Sequence, residues 1–363
     1  MKTGPILLLV MLLGGFAVYL PNSTRSLSPQ APVTSGQVIP ISSCQVLNTP
    51  GATYMLTANA TGSPVPFRPG SFTCFLISAN GITFDLNGFN INSRNGANGI
   101  VVNASSDVIS GPGSISPVLP FGTAISLVNG SDDTVRDVKI GLGLIGIRVD
   151  NSPSALIEDN TITTVVVMGI DVTNSPGTRI VGNNITAGSL LVSPEKVTGI
   201  LLSNSPNSLA LGNTVEGTGN ALVLDASSNH TLVIGNNLSS NLGSGLVSFS
   251  NSNIILGNVA DGNSANGISL AGSSNLVAFN RADNNRLRGI GLGNVCSDSQ
   301  VSFPSGDNNL IVLNSAGGTF PNSTIAEFPA FFWDGQGKGN MWLFDSSGGQ
   351  PVPVTPPAGH TEC

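Results

Sequence analysis

Histidine is almost missing from this chain: 363 residues include only His230 and His360. A Ser-His-Asp triad or a His-ligated zinc site needs imidazoles in position, and here one lies in a turn-like stretch and the other in the tail. Charged residues make up 9%, with a formal net charge of −7. No basic cluster is available to neutralise phosphates, which excludes nucleic acid as a partner. Trp and Tyr number 2 each, little material for the aromatic platforms of a sugar groove. The 5 methionines are scattered, and no Walker A or dinucleotide fingerprint has a strand-turn-helix context. On these grounds no resident metal or cofactor is expected. A helical apolar period is absent as well.

What the chain does have is repetition. Asn160, Asn183, Asn213, Asn236, Asn258, Asn280 and Asn314 are spaced by 23, 30, 23, 22, 22 and 34 residues. Three residues before each stands an apolar residue, from Ile157 to Ile311, and two after each another, from Ile162 to Ala316. A second marker recurs upstream: Gly146-Ile147, Gly169-Ile170, Gly199-Ile200, Gly245-Leu246, Gly267-Ile268 and Gly289-Ile290. Each opens a short run of alternating character, such as Ile147-Arg148-Val149-Asp150, which is a strand signal. Twenty-two residues are too few for a βαβ unit but suit one turn of a β-solenoid. At a tight bend Asn tolerates left-handed backbone, and its amide can bond the next coil, so the seven asparagines are expected to form a stacked ladder.

Position for position, this pattern resembles the right-handed parallel β-helix of the pectin-lyase-like superfamily, over roughly residues 75 to 316. The fold class expected is therefore all-β: a single-stranded right-handed parallel β-helix of about ten coils, ~48 Å long at ~4.8 Å per strand, with a cap at each end. The segment Val38 to Phe89, with Ile82-Thr83-Phe84-Asp85-Leu86-Asn87-Gly88, resembles the start of many secreted prokaryotic β-helix proteins, the NosD-like group among them. Phe331-Phe332-Trp333-Asp334 and Gly339-Asn340-Met341-Trp342 resemble the terminal cap of the same group and are expected to plug the last coil. The expected organisation is 1–20 signal peptide or signal anchor, 21–36 flexible linker, 37–98 N-terminal cap and first coils, 99–316 repeats, and 317–363 cap and tail. The apolar run Ile6 to Leu20 behind Lys2 is the length of a signal core and short for a bilayer span. Any membrane contact would come through it as an uncleaved anchor. Four cysteines fit an oxidising compartment, and pairing within each end gives Cys44–Cys74 and Cys296–Cys363. The expected location is secreted, periplasmic or cell-surface.

Carboxylates carry what chemistry remains. In enzymes of the superfamily, acidic residues of neighbouring coils act as acid and base or hold calcium, with Arg or Lys as helper. Arg148 and Asp171 are one repeat apart, with Asp150 on the face of Arg148, and this trio is the candidate catalytic group. A loop carrying Glu195 and Lys196 is the candidate binding rim. The competing expectation is that Arg148 over Asp171, like Arg136 over Glu158, is an ordinary cross-strand ion pair. Three functions fit: a carbohydrate-binding β-helix with lyase or hydrolase activity in reserve; a non-enzymatic adhesion or spacer protein at the cell surface; and a NosD-like periplasmic maturation factor, for which the Met and His ligands of a copper site are missing. The expected partner is a polysaccharide or a cell-surface molecule, calcium is the one cofactor left open, and a monomer is expected.

Overall fold

The computed structural model describes residues 36–93, 97–116, 122–187, 193–293, 295–296, 302–303, 305–317, 330–335, 337–347 and 350–351. The chain divides after Gln37, and Val38–Cys363 form the second of two compact units. Within that unit one coil illustrates the rest. Gly143–Asp150 lies on a first face, Leu156–Glu158 on a second and Thr161–Thr163 on a third. The next coil repeats them as Val165–Thr173, Arg179–Val181 and Asn184–Thr186. The two coils pair in parallel and in register, Ile147 on Ile170, Ile157 on Ile180 and Ile162 on Ile185. All six isoleucines are fully buried. Like stacks on like, so the core is three continuous apolar columns.

The fold is a right-handed parallel β-helix. On the first face twelve parallel strands follow one another from Gln45–Leu47 to Phe331–Trp333. The first and last come from segments read as caps. Phe331–Trp333 pairs with Ile290–Leu292, and Met341–Leu343 with Leu310–Val312. Trp342 closes the inward column above Ile311 and meets Phe331 edge-on at 5.6 Å. Among the described residues the one helical element is a 3-10 turn, Pro194–Lys196.

The corners are where backbone polar groups would go unpaired, and stacked side chains satisfy them. Between the second and third faces, Asn236 Oδ1 accepts the backbone N–H and the side-chain amide of Asn213, each at 2.9 Å. Its own Nδ2 donates to Ala210 O and to Asn258 Oδ1, again at 2.9 Å. The same arrangement runs from Asn160 to Asn314 and ends on Asp345 Oδ1, 2.7 Å from the Asn314 backbone N. Two further stacks occupy the other corners. One passes through the hydroxyls of Ser152, Ser175, Ser205 and Ser228 beside a column ending in Asn253, Asn275, Asn309 and Asn340. The other is Asn241, Asn263 and Asn285.

Glycine opens the first-face strand because the coils touch there. A Cβ on Gly146 would lie 2.5 Å from Gly169 O and 2.8 Å from Ile162 Cγ2. Gly146→Ala is therefore expected to destabilise by about 1–3 kcal/mol, since neither backbone nor packed core can yield. A urea midpoint equal to that of the parent chain would show that the coils can part there at no cost.

At the N-terminal end Cys44 and Cys74 form a disulfide spanning 30 residues. The Cys296–Cys363 pairing involves Cys363, outside the described residues, as do the signal or anchor segment 1–20 and all but Gly36 of the linker.

Candidate functional site

Strand alternation sets the site. With Ile147 and Val149 turned inward, Arg148 and Asp150 stand on the outside of the first face. Arg148 is the register partner of Asp171, and Asp150 that of Thr173. Arg148 Nε lies 3.5 Å from Asp171 Oδ2. The pair is asymmetric: the Arg148 side chain is 44% exposed and the Asp171 side chain 6%. The Thr173 hydroxyl donates to Asp171 Oδ1 at 3.1 Å. Burial pushes the Asp171 carboxyl above its ordinary range; Arg148 and the Thr173 bond pull back against it, and Asp150 adds to the rise.

Asp150 heads a polar strip. It accepts from the Asn151 amide at 3.1 Å. Thr173 stacks on Ser203, and Ser203 Oγ donates to Asp225 Oδ2 at 2.7 Å. Asp225 also takes the backbone N–H groups of Asn204 and Ser227. Asp225 was not singled out from sequence, although it stands 22 residues after Ser203, one local repeat.

Glu195 and Lys196 are exposed in the 3-10 turn. That turn precedes Thr198–Ser203, in which Leu201 is the partner of Asp171. Five residues of extended chain separate Lys196 from Leu201, about 16 Å at ~3.3 Å each. The structure therefore does not bring this pair to Arg148 and Asp171. Residues 188–192, just before this turn, lie outside the described residues.

One expected pairing is corrected. Arg136 and Glu158 are register partners, but no ion pair joins them within 4.0 Å. Both are surface groups, and two long solvated side chains gain little by closing. Arg281 instead pairs with Asp261 and, at 4.0 Å, with Asp283.

Three other carboxyls are buried in corner stacks, at Asp107, Asp133 and Asp345. Asp133 Oδ1 accepts from Asp107 N at 3.0 Å, and Asp107 Oδ1 from Ile82 N at 2.7 Å. Burial raises Asp107 to about 6, Asp133 to about 7 and Asp345 to about 6. They hold coils together and face no solvent. Among the described residues no three His, Cys, Asp or Glu side chains gather where they could ring a metal ion.

Residues 123–285 match the family model described as right handed beta helix region. No curated protein matches the chain in sequence. Among solved structures, a mutant of the periplasmic alginate epimerase AlgG is 16% identical, with TM-score 0.55 over 86% of this chain and 86% of that one. A mutant tailspike protein of E. coli bacteriophage HK620, in complex with pentasaccharide, is 12% identical, with TM-score 0.60 over 86% of this chain and 60% of that one. The Dettilon tailspike protein is 13% identical, with TM-score 0.55 over 85% of this chain and 61% of that one. At these identities the likeness is one of fold.

Proposed function

We propose that this chain, a right-handed parallel β-helix protein with a pectin-lyase-like fold, is an exported protein that binds extracellular carbohydrate along the outside of its first face. The observation that carries the reading is Asp171: an outward-facing carboxyl, buried and raised, held between a half-exposed guanidinium and a threonine hydroxyl. Ordinary surface pairing does not require burying one partner. Arg148 presents N–H donors to a sugar hydroxyl or carboxylate, and Asp150, Thr173, Ser203 and Asp225 extend the polar track across four coils. Two neighbours support the choice of ligand, since one is a periplasmic alginate epimerase and another was solved with a pentasaccharide. The Cys44–Cys74 disulfide supports an oxidising location, secreted, periplasmic or at the cell surface.

If binding leads to cleavage, Asp171 is the group placed to give or take the proton. Asp150 is then its partner or a calcium ligand, and Arg148 holds the substrate. A second reading, a non-enzymatic surface or spacer protein, is favoured by the outward stack of Leu209, Leu232, Ile254 and Leu276 on the second face, which offers a sugar nothing to bond.

The test is a polysaccharide-binding screen on the full chain, with and without calcium. Asp171→Asn and Arg148→Ala are expected to weaken binding at least tenfold, about 1.4 kcal/mol, while Asp171→Asn leaves the melting temperature nearly unchanged. Binding unaltered in both variants, or no polysaccharide bound by the parent chain, would remove this site from the account.

A further inference from the structure

The second face changes character along its length. Each three-residue strand buries its middle side chain, so the first and third point out. In Leu156–Glu158 and Arg179–Val181 those positions include Glu158 and Arg179. From Leu209–Leu211 onward, through Leu232–Ile234, Ile254–Leu256, Leu276–Ala278, Leu310–Val312 and Met341–Leu343, the first and third positions are all apolar, and all but the buried Ala278 and Val312 reach the surface. They stack in register, Leu209 on Leu232, Ile254, Leu276, Leu310 and Met341 in turn. The third face of the same coils keeps Glu216, Asp261, Arg281 and Asp283 at its surface. The third face does not share the apolar strip.

A second observation lies along its border. The residue before each ladder asparagine has left-handed backbone, filled first by Asp159 at φ 53° and then by Gly182, Gly212, Gly235 and Gly257 at φ 60 to 64°. In the next three coils the same position holds Phe279, Leu313 and Phe344, at φ 56, 55 and 58°. A large L side chain is strained there, and burial does not offset the strain: Phe279 is 51% exposed and Phe344 63%. Strain without burial, beside a contiguous apolar patch, marks a surface kept for something outside the fold.

We infer that this face docks a second copy of the chain, sheet against sheet. The chain carries a net charge of −7, and here two copies meet with no charged side chain on either flat surface. The same net charge disfavours an anionic lipid surface, and a glycan would find no hydroxyl or amide side chain on this strip to bond. Ten partly or fully exposed strand positions and three corner residues make thirteen apolar groups a side, Ala278 and Val312 being buried. A standard interface uses roughly 20–30 residues a side, so the pairing would bury about 850 Å² in all, the size of a weak, concentration-dependent contact. Two such sheets pack ~10 Å apart, and a two-fold pairing closes on itself. A dimer that dissociates on dilution replaces the monomer expected from sequence. It uses the second face and so leaves the carbohydrate track on the first face free.

Sedimentation velocity on the full chain over roughly a hundredfold range of micromolar concentration reads this directly. The parent chain is expected to move from monomer to dimer. In Phe279→Gly/Leu313→Gly/Phe344→Gly the midpoint should rise at least tenfold in concentration while the dilute monomer melts higher, because glycine relieves the left-handed backbone. Leu232→Thr/Leu256→Thr should also weaken pairing, with strand character kept. A parent chain monomeric throughout overturns the inference, whether or not it then binds neutral phosphatidylcholine vesicles, which would assign the face to lipid. So does a dimer equally tight in both variants.

Discussion

Asn236→Leu is expected to lower stability by about 3 kcal/mol or more, while Asn237→Leu, one residue on, changes it by less than about 0.5 kcal/mol. Leucine has the branching of asparagine, but its methyl groups can neither bond nor approach to the 2.9 Å that the amide atoms keep from their partners, so overpacking adds to the loss. The change strips the backbone N–H of Asn213 of its acceptor and leaves Asn213 Nδ2 with only Ile180 O, and it takes the Asn236 amide from the carbonyls of Ala210 and Ile234. Asn213 and Asn236 are 0% and 1% exposed, so water does not replace what is lost. Each orphaned buried group costs roughly 1–3 kcal/mol. Asn237 shares the coil, but its side chain is on the outside. Urea unfolding gives the two magnitudes. Hydrogen exchange gives the place: amides of the coils at 213 and 236 should open first, because solenoid coils depend mainly on their neighbours. Equal losses in the two variants would mean that the ladder amides do not hold the coils.

The legible parts of the chain were those in which one residue type kept its offset. Asparagine stands out, so the 160-to-314 ladder could be read from spacing alone, and with it the coil. The column that opens with Asp107 and Asp133 keeps no one residue type: it passes through Ala155, Thr178, Ser208 and Thr231 before it becomes Asn253 and Asn275. No single-letter pattern survives that change. The last coil escaped because 31 residues, not 22, separate Asn314 from Asp345, and the ladder residue has become a carboxyl. Register was readable for Arg148 and Asp171, but burial was not, since it depends on what covers the outside of the strand. Arg136 and Glu158 show that register is not contact. The apolar outer strip was present in sequence as Leu232-Val233-Ile234 and Ile254-Ile255-Leu256, where three apolar residues run together. Only the middle one is needed by the core.

Raising the pH from about 4 to about 8 is expected to weaken this fold, the reverse of a protein whose carboxylates are paired with cations. Asp107, Asp133 and Asp345 ionise near 3.8 in an unfolded chain but near about 6, 7 and 6 in the folded one, chiefly because burial penalises the charge. Between those limits the folded chain holds more protons, so the contribution is complete below about 4 and is lost as pH climbs through 6 to 7. One oxygen of each carboxyl, Oδ2, is buried with no partner, which gives an ionised group nothing to bond. Asp107 also raises Asp133, so these two are expected to titrate as a pair. Asp133→Asn keeps the Oδ1 acceptor used by the Asp107 N–H and removes the charge. At pH 8 it should stabilise by on the order of 2–4 kcal/mol, and at pH 4 by much less. Asp345→Asn should do the same in the last coil, where it ends the asparagine ladder. Urea midpoints measured from pH 4 to 8 on the parent chain and both variants give the comparison. A flat parent profile, or an Asp133→Asn variant weaker at pH 8, would show that these carboxyls reach water or a cation when they ionise. Asp107 and Asp133 lie in the coils before the Asn160-to-Asn314 ladder and Asp345 in the coil after it. Alkaline weakening should therefore appear in hydrogen exchange as opening at both ends, with the asparagine-stacked middle opening last.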